Sequence, residues 1–130
     1  MRVSVVWDDE GCTILRYTYA QNWTWDDYET AIKHAYALKT QATIAIVDVI
    51  ADFSESGVIP KNMISNFQKS LNRPQSIEFG VTVLVTNSLF ILRMIEVYRK
   101  INRQGAKKIR TAKTLDEART IIAQTRITGL

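Results

Sequence analysis

Two short runs constrain this chain most. Thr43–Ile50 and Gly80–Val85 are nearly continuous stretches of apolar, largely β-branched residues. A strand that reads this way is buried on both faces, as happens in a parallel sheet covered by helices. Helix signals follow each run. After the first, Asp52–Gly57 reads as a polar loop, Pro60 sits in the first turn of a helix to about Leu71, and Asn72-Arg73-Pro74 ends it. After the second, Thr86-Asn87-Ser88 caps a long helix from Leu89 to about Ile101, with Gly105 as its C-terminal stop.

The chain opens differently. Val3–Trp7 and Thr13–Tyr19 are rich in β-branched and aromatic residues, and Asp8-Asp9-Glu10-Gly11-Cys12 between them is a turn in which Gly11 can take positive φ. The pair predicts a β-hairpin. Thr24 with Asp27 three residues on forms a capping-box variant, and Trp23 and Tyr28 fall where a hydrophobic staple would close it. A helix to about Leu38 follows, with Tyr28, Ala31, Ile32, Ala35 and Leu38 at helical spacing. The same aromatic cluster also has the makings of a binding platform. Near the other end, Lys107–Thr111 reads as a short charged edge strand. Thr114-Leu115-Asp116-Glu117 is a capping box opening a last helix to about Gln124.

The order is therefore ββαβαβαβα, one domain over residues 1–130. It implies an α/β fold: a mixed five-stranded sheet, antiparallel in its N-terminal hairpin and parallel beyond, packed with about four helices.

Several chemistries are hard to build from this composition. Cys12 is the sole cysteine, so no internal disulfide forms, and with His34 the sole histidine the common zinc sites lack ligands. No nucleophile–histidine–acid set is readable, so no catalytic residue, metal or cofactor is assigned and a non-enzymatic role is expected. Phe79–Tyr98 is apolar enough to tempt a membrane assignment, but Thr86-Asn87-Ser88 and Arg93 interrupt it. Met1-Arg2-Val3-Ser4 shows no signal-peptide pattern, which makes a cytoplasmic location the default.

Charge is unevenly spread. Residues 1–60 carry 4 Lys/Arg and 9 Asp/Glu, whereas residues 61–130 carry 13 and 4. The basic stretch from Arg99 through Arg103, Lys107, Lys108 and Arg110 to Lys113 could follow phosphates, but only Tyr98 is near enough to stack on a base. Nucleic-acid binding is accordingly disfavoured.

The hairpin, the capped helix with Trp25-Asp26-Asp27-Tyr28, the strand Ile44–Val49 carrying Asp48, the strand and cap Val81-Thr82-Val83-Leu84-Val85-Thr86-Asn87, and the closing Thr114-Leu115-Asp116-Glu117-Ala118 occur in that order. The pattern resembles the STAS-like, SpoIIAA-like domains, including the branch related to lipid-binding SEC14-type proteins. The resemblance spans nearly the whole chain, in pattern more than in signature residues. It implies a regulatory module that binds protein partners. Through the SEC14-type branch it also implies a carrier or sensor of a small apolar or lipid-like ligand. In the anti-anti-sigma branch a phosphorylated Ser or Thr follows an Asp after the central strand. Here that region reads Ala51-Asp52-Phe53-Ser54-Glu55-Ser56-Gly57, with no Asp-Ser dipeptide. Ser54 and Ser56 are the phosphoacceptor candidates, and Glu55 already supplies negative charge there, so no phosphoserine switch is expected.

In open parallel sheets ligands bind beyond the C-terminal strand ends. That places a candidate interaction or anion site at Asp52, Ser54, Glu55 and Ser56, together with Thr86, Asn87 and Ser88. A response-regulator receiver, which would use Asp8-Asp9, Asp52, Thr86 and Lys113, is disfavoured because its first two strands require a helix between them. The long helix is the other candidate surface. Leu89, Phe90, Ile91, Leu92 and Ile95 leave it little polar face, so a second subunit, a partner or an apolar ligand is expected to cover it. The leading expectation is a protein-binding module that self-associates.

Overall fold

The computed structural model describes residues 2–42, 46–71 and 79–128. Five strands form one sheet in the order of the chain: β1 (Val3–Trp7), β2 (Ile14–Tyr19), β3 (Val47–Asp52), β4 (Phe79–Val85) and β5 (Ile109–Ala112). β1 runs antiparallel to β2, and the remaining pairs are parallel. Five helices are described: α1 (Trp25–Thr40), α2 (Met63–Leu71), α3 (Leu89–Ile101), the single turn α4 (Arg103–Ala106) and α5 (Leu115–Thr128).

The expected α/β architecture is present, and every residue of β3 is buried. Val47, Val49 and Ala51 face one core with Ala31 and Ala35 of α1, Met63 of α2, and Ile91, Met94, Ile95 and Tyr98 of α3. Ile50 faces a second, smaller core with Val81, Val83, Val85, and Ala118 and Ile122 of α5. The crossover helices share one face, and α5 covers the other.

Local signals hold with particular departures. Thr24 and Asp27 close their capping box reciprocally, at 3.2 and 3.0 Å. At the last helix, the Thr114 hydroxyl accepts from Glu117 N–H, but the Glu117 carboxylate reaches Lys113 N–H, one residue earlier than the motif predicts. In the hairpin turn, Cys12 rather than Gly11 takes the left-handed conformation, at φ 56°. Asp9 fixes that turn by accepting from the Thr13 and Ile14 N–H groups and from the Thr13 hydroxyl. Pro60 lies outside α2, because Asn62 at φ 66° breaks the helical path before Met63. Gly105 lies inside α4, not at a left-handed stop, and the cap of α3 is Asn102. The predicted strand start over residues 43–45 and the predicted helix end at Asn72-Arg73-Pro74 lie outside the described residues.

Helix α5 runs past the predicted Gln124, and the extra turn carries Arg126. Its Nε donates to the Asp48 carboxylate at 2.9 Å, and its Nη2 to the Thr13 carbonyl at 3.1 Å. The other Asp48 oxygen accepts from Val81 N–H at 2.8 Å. Gly80 makes room for this: any side chain there would overlap the Asp48 carboxylate. At the other end of α5, Arg119 makes a two-pronged contact with Asp8, 2.9 Å on each prong, and Arg16 adds a third bond at 2.7 Å. The Asp8 side chain is only 2% exposed. Hydrogen bonds from Arg119 hold its carboxyl below the usual carboxylate range against the opposing effect of burial.

Asp8→Asn removes the charge and turns one of the two accepting oxygens into a donor facing two arginines, and is expected to destabilise the fold by about 2 kcal/mol at pH 7. Because the Asp8 pKa is depressed in the folded state, its contribution is complete above the unfolded value near 3.8 and disappears as pH falls through the folded value. Urea unfolding at pH 7 and pH 3 checks both points. The gap between wild type and Asp8→Asn should narrow at the lower pH.

Candidate functional site

The polar groups predicted at the strand ends stand close together, since Phe53 N–H, just past β3, bonds the Val85 carbonyl of β4 at 2.9 Å. Most of them are used locally. The Asp52 carboxylate is buried and accepts from Ser54 N–H at 3.0 Å. Ser56 is 1% exposed and its hydroxyl accepts from the Trp23 indole at 2.7 Å. The Thr86 hydroxyl, also buried, accepts from Ser88 N–H at 3.0 Å, and the Ser88 hydroxyl caps α3 through Ile91 N–H at 3.3 Å. Ser54, Glu55 and Asn87 are exposed. The receiver arrangement has no geometric basis: β1 runs opposite to β3 and β4, so Asp8 and Asp9 sit at the far end of the sheet from Asp52 and Thr86.

The long-helix surface needs correction. Ile91 and Ile95 are not on it. Each is 1% exposed, because α3 turns Ile91, Met94, Ile95 and Tyr98, spaced at three and four residues, onto the sheet. Leu92 is half-buried. Leu89 and Phe90 are exposed as predicted, and Val97 and Ile101 join them.

Between the crossover helices and the sheet lies a cavity of about 400 Å³. Its origin is visible in the strands. The sheet side of the cavity is formed by Val49 and Ala51 of β3 with Thr82 and Leu84 of β4, Val49 opposite Thr82 and Ala51 opposite Leu84, and Gly80 lines it through its backbone. Val49, Ala51 and Thr82 are too short to fill the layer between the sheet and the helices. Larger side chains make the walls.

Aromatic residues dominate one end. Tyr19 stacks on Phe53 at 4.1 Å between centroids, Trp23 meets Tyr19 edge-on at 4.9 Å and Trp25 at 4.9 Å, and Tyr28 stands against Trp25 at 5.8 Å. Trp23 and Tyr28, the predicted staple, are thus linked through Tyr19 and Trp25. Polar anchors fix the two indoles: Trp23 on Ser56, and Trp25 on the Lys61 carbonyl at 2.8 Å. Burial pushes the Tyr19 phenol well above its ordinary pKa, so it stays neutral. Tyr98, Asn102 and Lys108 line the wall near the start of β5.

Ligand-binding pockets are typically concave, mostly apolar and carry a few placed polar groups, and this cavity has that character. Among its described lining residues there is no carboxylate, thiol or imidazole. Across the described residues no three His, Cys, Asp or Glu side chains gather as a metal site requires. His34 is exposed on α1. The arrangement is equipped to enclose and orient a small molecule. The aromatic cluster could be read from sequence, but the sheet floor could not, because it depends on which residues of β3 and β4 the register sets side by side.

Ser56→Ala leaves a buried indole N–H without its acceptor. A loss of about 1–2 kcal/mol in urea unfolding is expected, with a shift in tryptophan emission in the folded protein.

No protein-family model matches the chain, and no curated protein or solved structure matches it.

Proposed function

We infer that this domain binds a small, predominantly apolar molecule, as a carrier or sensor, in the cavity beneath α1, α2 and α3. The observation that carries the reading is the aromatic-walled, 400 Å³ space above the small residues of β3 and β4. Apolar walls that line a pocket open to solvent face water instead of packing partners, which weakens a core. A chain that keeps it open while spending two tryptophans and five tyrosines on its walls gains nothing in stability from doing so. An occupant restores the lost contacts. The reading also draws on the STAS-like resemblance with its SEC14-type branch, whose implied α/β sheet agrees with the hairpin and parallel strands. The reading is of a binding domain with no catalytic residues assigned.

The volume also limits the occupant. A space of about 400 Å³ suits a molecule of two or three rings. A two-chain lipid is too large to be enclosed.

A second reading, a protein-interaction module that self-associates, is favoured by the outer stripe of α3. Leu89, at 70% exposed, stands there with Phe90, Val97 and Ile101. The two readings occupy opposite sides of one helix and are compatible.

N-phenyl-1-naphthylamine, a neutral probe that brightens in apolar surroundings, is expected to bind the wild-type chain in equimolar amount. Ala51→Phe places a ring in the cavity and should abolish the signal while keeping a cooperative thermal transition. Equal brightening by both proteins would overturn the cavity reading. For the second reading, light scattering at micromolar concentration should show a dimer or larger, and Phe90→Ser with Val97→Ser should return it to a monomer.

A further inference from the structure

Among the described lining residues the one charged side chain, Lys108, belongs to one end of the cavity. Along β3, Phe53 lies four residues beyond Val49, and Val49 is opposite Thr82, so the aromatic end and the Thr82 end are about 13 Å apart at ~3.3 Å per residue. Thr82 N–H bonds the Lys108 carbonyl at 2.7 Å, which brings the residue just before β5 beside Thr82. Tyr98 and Asn102 reach the same end from α3 and its cap.

This end is built, not incidental. The Asn102 side-chain amide donates to the Tyr98 hydroxyl at 3.1 Å, and its carbonyl oxygen accepts from Gly105 N–H at 2.9 Å. Gly105 must be glycine here, because a Cβ would overlap the Tyr98 hydroxyl. Burial raises the Tyr98 phenol above its ordinary pKa, so it keeps its proton and remains a hydrogen-bond donor. Lys108 carries the only formal charge among the described lining residues, and no acid lines the cavity with it. Lys108 is engaged within the chain, but an ammonium has three donors and a flexible stem.

We propose that the occupant is a small aromatic monocarboxylate, its rings among Tyr19, Trp23 and Phe53 and its carboxylate at Lys108, Tyr98 and Thr82. The proposal rests on the cavity reading and adds to it a ligand class and an orientation. A cation with neutral hydrogen-bond donors suits a carboxylate, whereas a cationic ligand would meet a like charge and no counter-ion. The separation of the ends calls for two rings in line, not one.

Biphenyl-4-carboxylate and its neutral isostere biphenyl-4-carboxamide test this on the whole chain, by tryptophan quenching and calorimetry at pH 7.5. The acid should bind at least tenfold tighter than the amide. Lys108→Gln, an exposed position, should remove that preference, and Lys108→Arg should largely keep it. Tyr98→Phe should weaken the acid more than the amide. Equal binding of acid and amide, or an acid preference that survives Lys108→Gln, overturns the proposal. If neither biphenyl binds but N-phenyl-1-naphthylamine does, the ligand class is wrong and the cavity reading stands. If none of the three binds, both fall.

Discussion

Every parallel step in this sheet goes to the adjacent strand in the same direction, and a right-handed crossover of that kind returns over the same face each time. Three successive helices must then share one side of five strands, while the other side waits for whatever follows β5. The two faces are consequently unequal. One carries a broad core roofed by α1, α2 and α3, and the other a compact core under α5 alone. A roof made of three separate helices need not close over the strands in the middle. Whether it does is decided by the side chains standing on β3 and β4, and at Val49, Ala51 and Thr82 those are short.

The architecture was legible because it depends on patterns that survive without tertiary context. The all-buried run of β3, the hairpin, and the caps at Thr24, Ser88 and Thr114 are local statements about periodicity and hydrogen bonding. The errors have a common physical origin. Gly105 was read as a helix stop because glycine tolerates left-handed backbone, yet its place is dictated by a phenol from the preceding helix. Gly80 is set by a carboxylate on the neighbouring strand, and α5 is extended by an arginine reaching Asp48. Each of these residues answers to a partner distant in sequence.

The site was less legible for a related reason. Asp52, Ser56 and Thr86 are the residue types that could meet a ligand at a strand end, but a polar group beside a chain reversal is equally able to satisfy the backbone, and here most do. Ser56 is instructive, since its hydroxyl serves the cavity indirectly by seating Trp23. The cavity floor has no motif. A valine, an alanine and a threonine mean little until register sets Val49 opposite Thr82. The hydrophobicity of α3 was visible, but not its division into a face that packs and a face that does not.

The Asp8–Arg119 contact joins residues 111 apart in the chain. During synthesis the hairpin leaves the ribosome before the helices that cover it, and its turn presents a carboxylate with only Arg16 to answer it. The partner that completes its shell emerges after all five strands. Until then the smaller core has no α5, and the outer faces of β3 and β4 stay bare to solvent. The elements that roof the larger core are thus all synthesised before the one that covers the back of the sheet. A truncation that removes the last helix would keep that back bare permanently, with two adjacent hydrophobic strands uncovered and an acid at the turn that nothing neutralises in full.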